Sequence, residues 1–304
     1  MVRVTNTAAG LQDIAGPDGT FAVVAIDQRN TLKRMYAAVG QPDAPDSELV
    51  EFKVDVLTAL DNASAVLIDP SYGVPALQQL GGRRPAGILV AAEPADRGKY
   101  GDEPRVTRDP VQDARWVRDQ GGDALKYLVQ IRADRPAAPG EPDLAAEGLE
   151  VVREVVADCR AAGVPSVIEN LVYPLPGEDL TPDRKADAVI AAAVALDELR
   201  PDLLKLEYPG SPQACRRLGE SITTPWAVLS AGVDFTEFAD ILRISCDEGG
   251  ASGFIAGRAV WKDAVGMGRE ERRRFLADEG RRRLDGCLDA IKGRARSWNE
   301  VSGS

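Results

Sequence analysis

The sequence predicts a (β/α)8 barrel, in which parallel strands alternate with helices and close into a ring. The prediction rests on short apolar runs rich in β-branched residues, on amphipathic segments between them, and on 304 residues without a dividing linker. An open, doubly wound sheet is the alternative. It is disfavoured because no GxGxxG motif follows the first strand and because the strand count closes at eight. We therefore expect residues 1–304 to form a single barrel domain, with residues 269–304 as a C-terminal helical extension.

The predicted strands are runs of apolar and β-branched residues with spacing that suits βα units. They cover residues 21–27, 64–69, 87–93, 125–131, 166–173, 203–208, 226–232 and 253–261. We expect the polar residues that close several of these runs to lie at one end of the barrel.

Amphipathic segments with helical periodicity separate the strands. They cover residues 47–62, 74–80, 109–121, 144–163, 182–199, 212–222 and 234–250. The Pro-rich, acidic stretch 137–143 is predicted to be a surface loop after the fourth strand. The basic tail 269–296 is predicted to be helical, to pack outside the barrel and to leave its arginine-rich face in solvent.

The composition, 44% hydrophobic and 28% charged residues, is that of a soluble globular protein. A formal net charge of −11 argues against nucleic-acid binding and against binding to anionic membranes, although a local basic cluster can still hold an anionic substrate. The sequence shows neither a membrane-length apolar stretch nor a signal peptide at its N-terminus. The four cysteines are widely spaced in helix-like segments, which predicts reduced thiols and a cytoplasmic protein.

Lys205 is the most informative residue, because it interrupts a run that otherwise resembles a buried strand. An apolar environment disfavours the ammonium form of a lysine, and this is one way in which proteins make the amine nucleophilic. The chain also contains no histidine, so acid–base chemistry must use carboxylates, lysines, tyrosines or water, and an imidazole-ligated zinc is excluded. A nucleophilic lysine supported by carboxylates indicates Schiff-base chemistry on a carbonyl substrate.

Polar residues are concentrated where the predicted strands end, which in such barrels is the face that carries the reactive groups. They include Asp27, Gln28, Arg29, Asp69, Glu93, Lys126, Glu169, Asn170, Lys205, Glu207, Ser230 and Arg258, and the glycines Gly232 and Gly257 lie beside the last two. Structural alternatives remain open: Asp69 before Pro70 suits a helix cap or a loop anchor, Ser230-Ala-Gly232 suits a tight turn, and Lys126, Lys205 and Glu169 could form a buried salt-bridge network.

Gly257-Arg258 lies at the eighth strand, where barrels of this class bind phosphate through backbone N–H groups. Small residues allow the backbone to approach an anion, and the guanidinium group of Arg258 can donate two charge-assisted hydrogen bonds to it. Strand alternation is expected to place Glu207 on the same face as Lys205, where it would keep the ammonium charged. Lys126 is expected to act in the opposite direction, by like-charge repulsion.

Five segments in order then resemble a known family: Ala25-Ile-Asp-Gln-Arg29, Leu67-Ile-Asp-Pro-Ser-Tyr-Gly73, Leu203-Leu-Lys-Leu-Glu207, Leu229-Ser-Ala-Gly232 and Gly257-Arg-Ala-Val-Trp261. They are similar to the class I tagatose-1,6-bisphosphate aldolase family, which includes relatives acting on 6-deoxy-6-sulfofructose 1-phosphate. The tail Ser297-Trp298-Asn299-Glu300 resembles the tagatose branch, whereas the segment after Lys126 and the loops 94–110 and 132–145 differ from it.

The resemblance implies specific roles for the residues at the strand ends. Lys205 would be the Schiff-base lysine and Glu169 the proton-transfer carboxylate, with Asp27 and Lys126 contacting substrate hydroxyls or assisting the amine. The 1-phosphate would be held by Ser230, Gly232, Gly257 and Arg258, and Gln28 and Arg29 would lie toward the far end of the sugar.

The leading interpretation is thus a ketose-1-phosphate aldolase that needs neither metal nor cofactor and yields dihydroxyacetone phosphate and an aldehyde. Tagatose 1,6-bisphosphate is the leading substrate, and the aldehyde would then be glyceraldehyde 3-phosphate. The alternatives are a 6-deoxy-6-sulfofructose-1-phosphate aldolase that releases sulfolactaldehyde, and a sugar-phosphate-binding regulator without turnover. A homo-oligomer is expected, because barrels of this family commonly self-associate.

Overall fold

The computed structural model describes residues 10–137 and 139–301, and within them eight parallel strands close into a barrel. The strands are β1 (Phe21–Ala25), β2 (Ala65–Ile68), β3 (Ile88–Ala91), β6 (Ala124–Val129), β7 (Ser166–Asn170), β8 (Leu203–Leu206), β9 (Trp226–Val228) and β10 (Gly253–Ala256). Around the ring their order is β1-β10-β9-β8-β7-β6-β3-β2, so β1 pairs with both β2 and β10. The predicted fold class is confirmed. An antiparallel hairpin, β4 (Gly98–Tyr100) and β5 (Glu103–Arg105), lies outside the ring.

Helices follow the barrel strands and cover the outside of the ring. They are α1 (Asn30–Ala38), α2 (Asp46–Ala59), α3 (Gly73–Gln79), α4 (Ala114–Asp119), α5 (Leu144–Ala162), α6 (Pro182–Asp197), α7 (Pro212–Ser221), α8 (Phe235–Gly249), α9 (Arg258–Trp261), α10 (Arg269–Phe275), α11 (Arg281–Ile291) and α12 (Trp298–Val301). No helix in residues 10–137 and 139–301 is both long enough and apolar enough to cross a membrane.

Side-chain caps and glycines fix where the long helices begin and end. The N-terminal caps Asp113, Asp143, Thr181, Ser211 and Asp234 each accept a hydrogen bond from a backbone N–H in the first turn of the helix that follows. Gly163 and Gly250 end α5 and α8 with φ of 64° and 61°, a left-handed conformation that costs glycine little.

The apolar core forms two layers, one inside the barrel and one between the strands and the helices. The inner layer takes at least one side chain from each barrel strand, among them Val23, Leu67, Leu89, Ala124, Val167, Leu203, Ala227 and Ile255. Leu11 and Ile14 join this layer, and the carbonyl of Ile14 accepts a hydrogen bond from Ser64, just before β2. The N-terminal end of the barrel is therefore plugged by apolar side chains, which leaves the opposite end for polar groups.

The C-terminal tail packs on the outside of the barrel, as the sequence predicts, but one of its arginines is fully buried. α10 continues through a π-helical turn, Leu276–Gly280, into α11, which buries Leu284 and Cys287. Arg272 is 0% exposed and binds carboxylates of α2: Nε contacts Asp55 at 2.8 Å, Nη2 contacts Glu51 at 3.0 Å, and Nη1 contacts Glu48. The expectation of a solvated basic face is thus wrong for Arg272.

Shortening the reach of this buried cation should destabilise the fold without changing catalysis. Because a single ammonium cannot span the same carboxylates as a guanidinium fork, we expect Arg272→Lys to lower the free energy of unfolding by about 1–3 kcal/mol. Arg274→Lys is the matched control, since Arg274 and its partner Glu270 are 69% and 90% exposed and such pairs contribute little. Urea titration measures both variants, and equal stabilities would contradict the buried-cluster interpretation.

The structure corrects several predicted boundaries. The predicted strand 253–261 is wrong in its second half, because β10 ends at Ala256 and α9 begins at Arg258. The predicted helix 109–121 shortens to Ala114–Asp119, and the first helix and the hairpin after β3 were not predicted. Residues 1–9, 138 and 302–304 of the predicted domain lie outside the described residues.

Candidate active site

Strand alternation brings the charged residues to the open end of the barrel. Side chains point inward at every second position, so the inner-layer residues Ala25, Ala91, Ala124, Val167 and Leu203 are each followed two positions later by a charged residue. Those residues are Asp27, Glu93, Lys126, Glu169 and Lys205, and in the structure they form one cluster. The geometry thus assembles all four residues that the sequence predicts to be catalytic.

Lys126 occupies the centre of this cluster. Its Nζ lies 2.9 Å from Asp27 Oδ2, 2.9 Å from Glu93 Oε1 and 2.8 Å from Glu169 Oε2, and its side chain is 1% exposed. Burial alone would lower the pKa of Lys126, but Asp27, Glu169 and Glu93 outweigh it and raise the pKa well above its ordinary value. All three ammonium hydrogens are matched by carboxylates, so Lys126 is held as a cation.

Lys205 differs from Lys126 in having one carboxylate partner instead of three. Its Nζ lies 3.0 Å from Glu169 Oε2, the same oxygen that contacts Lys126, and its side chain is 5% exposed. Two ammonium groups therefore share one carboxylate oxygen at the base of an open cavity. The hypothesis of a purely structural salt-bridge network has the right contacts, but it does not account for this cavity.

The two carboxylates closest to the lysines are held in their ionised form. Burial would raise the pKa of Asp27, yet Lys126 and Lys205 outweigh this effect and hold the pKa well below its ordinary value. The same lysines lower the pKa of Glu169 against a burial effect of the opposite sign. At neutral pH both groups are therefore proton acceptors in the resting site.

A cavity of about 820 Å³ opens above the cluster. Asp27, Lys126, Glu169 and Lys205 form its floor, and Gln28, Arg29 and Arg258 also line it. Arg29 donates to the Glu93 carbonyl at 3.1 Å and lies 3.4 Å from the Glu93 carboxylate. Within the described part of the chain, Gln28 Oε1 is buried without a hydrogen-bond partner.

The predicted phosphate-binding residues follow β9 and β10, which are neighbouring strands. Gly232 has φ of 90°, and a Cβ placed there would lie 3.1 Å from Arg258 Nη1, so the guanidinium lies directly against this glycine. A Cβ on Gly257 would lie 1.8 Å from the Ala25 carbonyl oxygen, which only glycine avoids. Ser230, two residues before Gly232, is buried. Of the predicted phosphate-binding residues, Arg258 lines the cavity.

The expected placement of Glu207 beside Lys205 is wrong. β8 ends at Leu206, and the side chain that follows is directed by partners outside the strand. Glu207 instead lies 2.9 Å from Lys185 on α6 and accepts a hydrogen bond from the Val172 N–H at 2.8 Å. Glu169 takes the position beside the amine that the sequence interpretation had given to Glu207.

Asp69 has the structural role that was considered as its alternative. Its Oδ2 accepts hydrogen bonds from the N–H groups of Ser71 at 3.0 Å and Tyr72 at 2.9 Å, and its Oδ1 from Gly73 at 3.1 Å. Asp69 therefore shapes the turn into α3.

Glu93 is a member of the cluster that the sequence interpretation noted at a strand end without assigning it a role. It binds Lys126, Arg29 and, through Oε2, the Leu128 N–H at 3.1 Å. Its position two residues after Ala91 on the inner face was the available signal. The hairpin β4–β5 was also missed, and with the loop before it this segment adds Arg97 and Lys99 to the cavity wall.

Solved structures of other proteins share this fold. A protein from Corynebacterium glutamicum superposes with a TM-score of 0.65 at 19% identity, over 92% of this chain and 88% of that one. An archaeal fructose 1,6-bisphosphate aldolase superposes with a TM-score of 0.61 at 16% identity, over 91% and 96% of the two chains. Another archaeal fructose-1,6-bisphosphate aldolase, whose catalytic lysine is covalently bound to the carbinolamine intermediate, gives 0.59 at 14% identity over 90% and 96%. At these identities the likeness supports the barrel alone.

Sequence comparison gives more specific relatives. Tagatose 1,6-diphosphate aldolase 1 of Streptococcus mutans is 27% identical over 95% of this chain and 97% of its own length. Tagatose 1,6-diphosphate aldolase 2 of Streptococcus agalactiae is 28% identical over 99% of both chains. Residues 21–263, which include all eight barrel strands and the whole lysine–carboxylate cluster, match the family model described as DeoC/LacD family aldolase. The chain therefore belongs to the DeoC/LacD aldolase family.

Proposed function

We propose that this aldolase forms a Schiff base through Lys205 and cleaves a ketose 1-phosphate, with tagatose 1,6-bisphosphate as its principal substrate. The products are dihydroxyacetone phosphate and glyceraldehyde 3-phosphate. The observation that carries the proposal is the shared oxygen of Glu169, 3.0 Å from Lys205 Nζ and 2.8 Å from Lys126 Nζ at the floor of the cavity. The names of the streptococcal relatives support the choice of sugar.

Lys205 is a better nucleophile than Lys126 because the two amines differ in their partners. Lys126 is saturated by Asp27, Glu93 and Glu169, so releasing its proton would remove the cation that three buried carboxylates share. Lys205 can give its proton to Glu169 and turn its free amine toward a ketone in the cavity. The amine then attacks C2, and a proton passes from its nitrogen to the former carbonyl oxygen to give a neutral carbinolamine, while Glu169 stays protonated.

Glu169 is the proposed proton carrier for the steps that follow. When Lys205 becomes a neutral carbinolamine, Glu169 loses one of the two cations that lower its pKa, so it becomes a stronger base at that stage. Protonated Glu169 delivers its proton to the departing hydroxyl, water leaves, and the iminium forms. The regenerated carboxylate, directly or through water, removes the proton from the C4 hydroxyl. The C3–C4 bonding electrons move toward the iminium nitrogen, and the aldehyde leaves.

Asp27 and the residue after it are placed to orient the sugar chain. Asp27 is ionised and bound to Lys126 at 2.9 Å, so its carboxylate can accept a hydrogen bond from the C3 hydroxyl. The buried Oε1 of Gln28 offers a further acceptor for a substrate hydroxyl. After cleavage the enamine is protonated at C3 and hydrolysed, which frees Lys205 and releases dihydroxyacetone phosphate.

The two ends of the substrate are assigned to two groups of cations. Ser230, Gly232, Gly257 and Arg258 hold the 1-phosphate, supported by the contact of the Arg258 guanidinium with Gly232. The distal group extends toward the mouth of the cavity. There the lining cations Arg29, Lys33, Arg34, Arg97 and Lys99 outnumber the lining acids Glu93, Asp96 and Asp102. This excess of positive charge favours a dianionic phosphate over a singly charged sulfonate.

Borohydride trapping tests the proposal directly. Wild-type protein is incubated with dihydroxyacetone phosphate and sodium borohydride, and the adduct is located by intact-mass and peptide mass spectrometry. We expect one reduced adduct on the Lys205 peptide, absent from Lys205→Met. An adduct on Lys126 would mean that another lysine forms the Schiff base. Sugar binding without any adduct would indicate a non-catalytic regulator.

Substrate choice is measured separately from the imine. A coupled assay compares kcat/KM for tagatose 1,6-bisphosphate and 6-deoxy-6-sulfofructose 1-phosphate with the same enzyme preparation. We expect the bisphosphate to be preferred, because each added favourable charge contact with phosphate is a strong interaction. A higher kcat/KM for the sulfonate would assign the chain to the sulfosugar reaction while leaving the Schiff base intact.

A cytoplasmic location and self-association complete the proposal, and the first requires that the cysteines be free thiols, which can be measured. All four lie in helices and are buried as free thiols, and burial raises the pKa of each to about 12. A thiol with such a pKa is roughly 10⁻⁴ ionised at pH 8, so we expect almost no reaction with Ellman's reagent in the native protein. Guanidinium should release all four, and fast native reaction would contradict this burial. Light scattering measures the oligomeric state.

A further inference from the structure

Lys53 is a fully buried cation that reaches the active-site end of the barrel from helix α2. It is 0% exposed, and its Nζ donates hydrogen bonds to the carbonyl of Ile26 at 2.6 Å, to the carbonyl of Gln28 at 2.9 Å and to the carboxylate of Asp69. Each of its three N–H donors therefore has an acceptor. All these acceptors lie just after β1 or β2, although Lys53 itself belongs to the outer layer.

The two carbonyls lie on either side of Asp27 in the sequence. The backbone on both sides of this residue is thus fixed by one ammonium group, while its carboxylate is bound to Lys126 at 2.9 Å. We infer that Lys53 is a positioning residue that sets the direction of the Asp27 carboxylate in the active site. The inference deepens the proposed function and rests on the role of Asp27 in it.

Asp69 makes Lys53 a rigid support. The carboxylate of Asp69 is itself held by the N–H groups of Ser71, Tyr72 and Gly73 at 2.9 to 3.1 Å, so it cannot follow a displaced lysine. The centre of the Tyr72 ring lies 5.7 Å from Nζ, within the range of a cation–π contact. Lys53 consequently joins the end of β1 to the turn after β2 and leaves the Asp27 backbone little freedom.

A buried cation alone does not establish a functional role, because apolar residues of similar volume often replace buried ion pairs without loss of stability. Arg272 illustrates the purely structural case, since it is also 0% exposed on the α2 side of the barrel but its ion pairs are with side chains of α2, away from the cavity. Lys53 instead gives two hydrogen bonds to the backbone around one active-site residue. The difference between these two cations provides the matched control.

A double-mutant cycle on kcat separates positioning from general stabilisation. We expect Lys53→Met to lower kcat roughly 10–100-fold in the wild-type background, because small displacements of a substrate-orienting group have effects of this size. In the Asp27→Asn background the same substitution should lower kcat less than about threefold, since the group that Lys53 positions has already been altered. Equal factors in the two backgrounds would overturn the inference, because a structural role is additive.

Two further variants keep the cycle interpretable. Lys53→Gln retains an N–H donor for one carbonyl and replaces Lys53→Met in the same cycle if the methionine variant is insoluble. Arg272→Lys should lower stability with kcat unchanged in both backgrounds, which shows what loss of a buried cation does when the site is untouched. A similar fall in kcat for Arg272→Lys would count against the special role of Lys53.

Trapping at Lys205 distinguishes failure of this inference from failure of the proposed function. Lys53 contacts neither the Lys205 amine nor Glu169 through any of its three hydrogen bonds, so Lys53→Met should still give the reduced adduct with dihydroxyacetone phosphate. If wild type forms the adduct and the cycle is additive, only the role of Lys53 is wrong. If wild type forms no adduct at Lys205, the proposed function itself is wrong.

Discussion

Lys205→Met is expected to abolish turnover of tagatose 1,6-bisphosphate, with a fall in kcat of roughly 10⁴-fold or more. The substitution keeps the length of a buried side chain and removes the amine that attacks C2. Lys126 cannot substitute for it, because its ammonium is bound by Asp27, Glu93 and Glu169. Initial rates and single-turnover product formation measure the loss.

Sugar binding should persist in this variant. The cations assigned to the phosphates, Arg258 at one end and Arg29 at the other, do not contact Lys205 in the described structure, so their interactions with substrate remain. Isothermal titration with dihydroxyacetone phosphate should therefore still detect binding. Full activity in Lys205→Met would show that Lys205 does not form the Schiff base.

Lys185→Met is the control for the loss of a lysine from a carboxylate pair. Lys185 lies 2.9 Å from Glu207 and is 40% exposed, and neither residue lines the cavity. We expect kcat within a factor of about two of wild type, because partly exposed ion pairs make small contributions. A loss as large as that of Lys205→Met would indicate that removing any lysine from this part of the barrel damages the enzyme.

The strands and the position of Lys205 on one of them were predictable because both depend on local patterns. Apolar runs such as the one around Lys205 are buried on both faces in a parallel barrel, so their apolar composition alone identifies them as strands. The period of two residues then places Lys126, Glu169 and Lys205 on the same inner face as the apolar residues two positions before them, such as Val167. Sequence reasoning is reliable here because geometry leaves a strand few alternatives.

Beyond the ends of the strands the alternation rule holds for Asp27 and Glu93 but fails for Glu207. Glu207 lies one residue beyond β8, and its direction is set by Lys185 and by the Val172 N–H instead of by the pleat. The predicted strand through Trp261 failed for a related reason, since apolar residues of a short helix such as α9 have the same composition as a strand.

Lys53 was overlooked although the sequence carries a signal for it. Leu49, Phe52 and Val56 lie on the buried face of α2, and Lys53 falls among them at helical spacing. A lysine on an apolar helix face requires an acceptor, but the sequence cannot show that the acceptors are the carbonyls around Asp27. Contacts between a helix and the end of a distant strand depend on how the layers pack.

Glu169→Gln is expected to lower kcat roughly 10²–10⁴-fold, the range for loss of general acid–base catalysis. The amide has nearly the same shape but can neither accept the proton of Lys205 nor deliver one to the leaving hydroxyl. The adduct between Lys205 and dihydroxyacetone phosphate should still form, more slowly, because the amine remains. Steady-state rates and the time course of borohydride trapping measure the two effects.

Glu93→Gln decides between proton transfer and simple charge balance. Glu93 and Glu169 make equivalent ion pairs with Lys126, at 2.9 and 2.8 Å, but the contact with Lys205 is made by Glu169 at 3.0 Å. If Glu169 acts by exchanging protons with Lys205 and the substrate, its replacement must reduce kcat far more than the replacement of Glu93. Equal losses would mean that both carboxylates serve only to hold Lys126 as a cation, and the proton carrier would then have to be sought in Asp27 or a bound water.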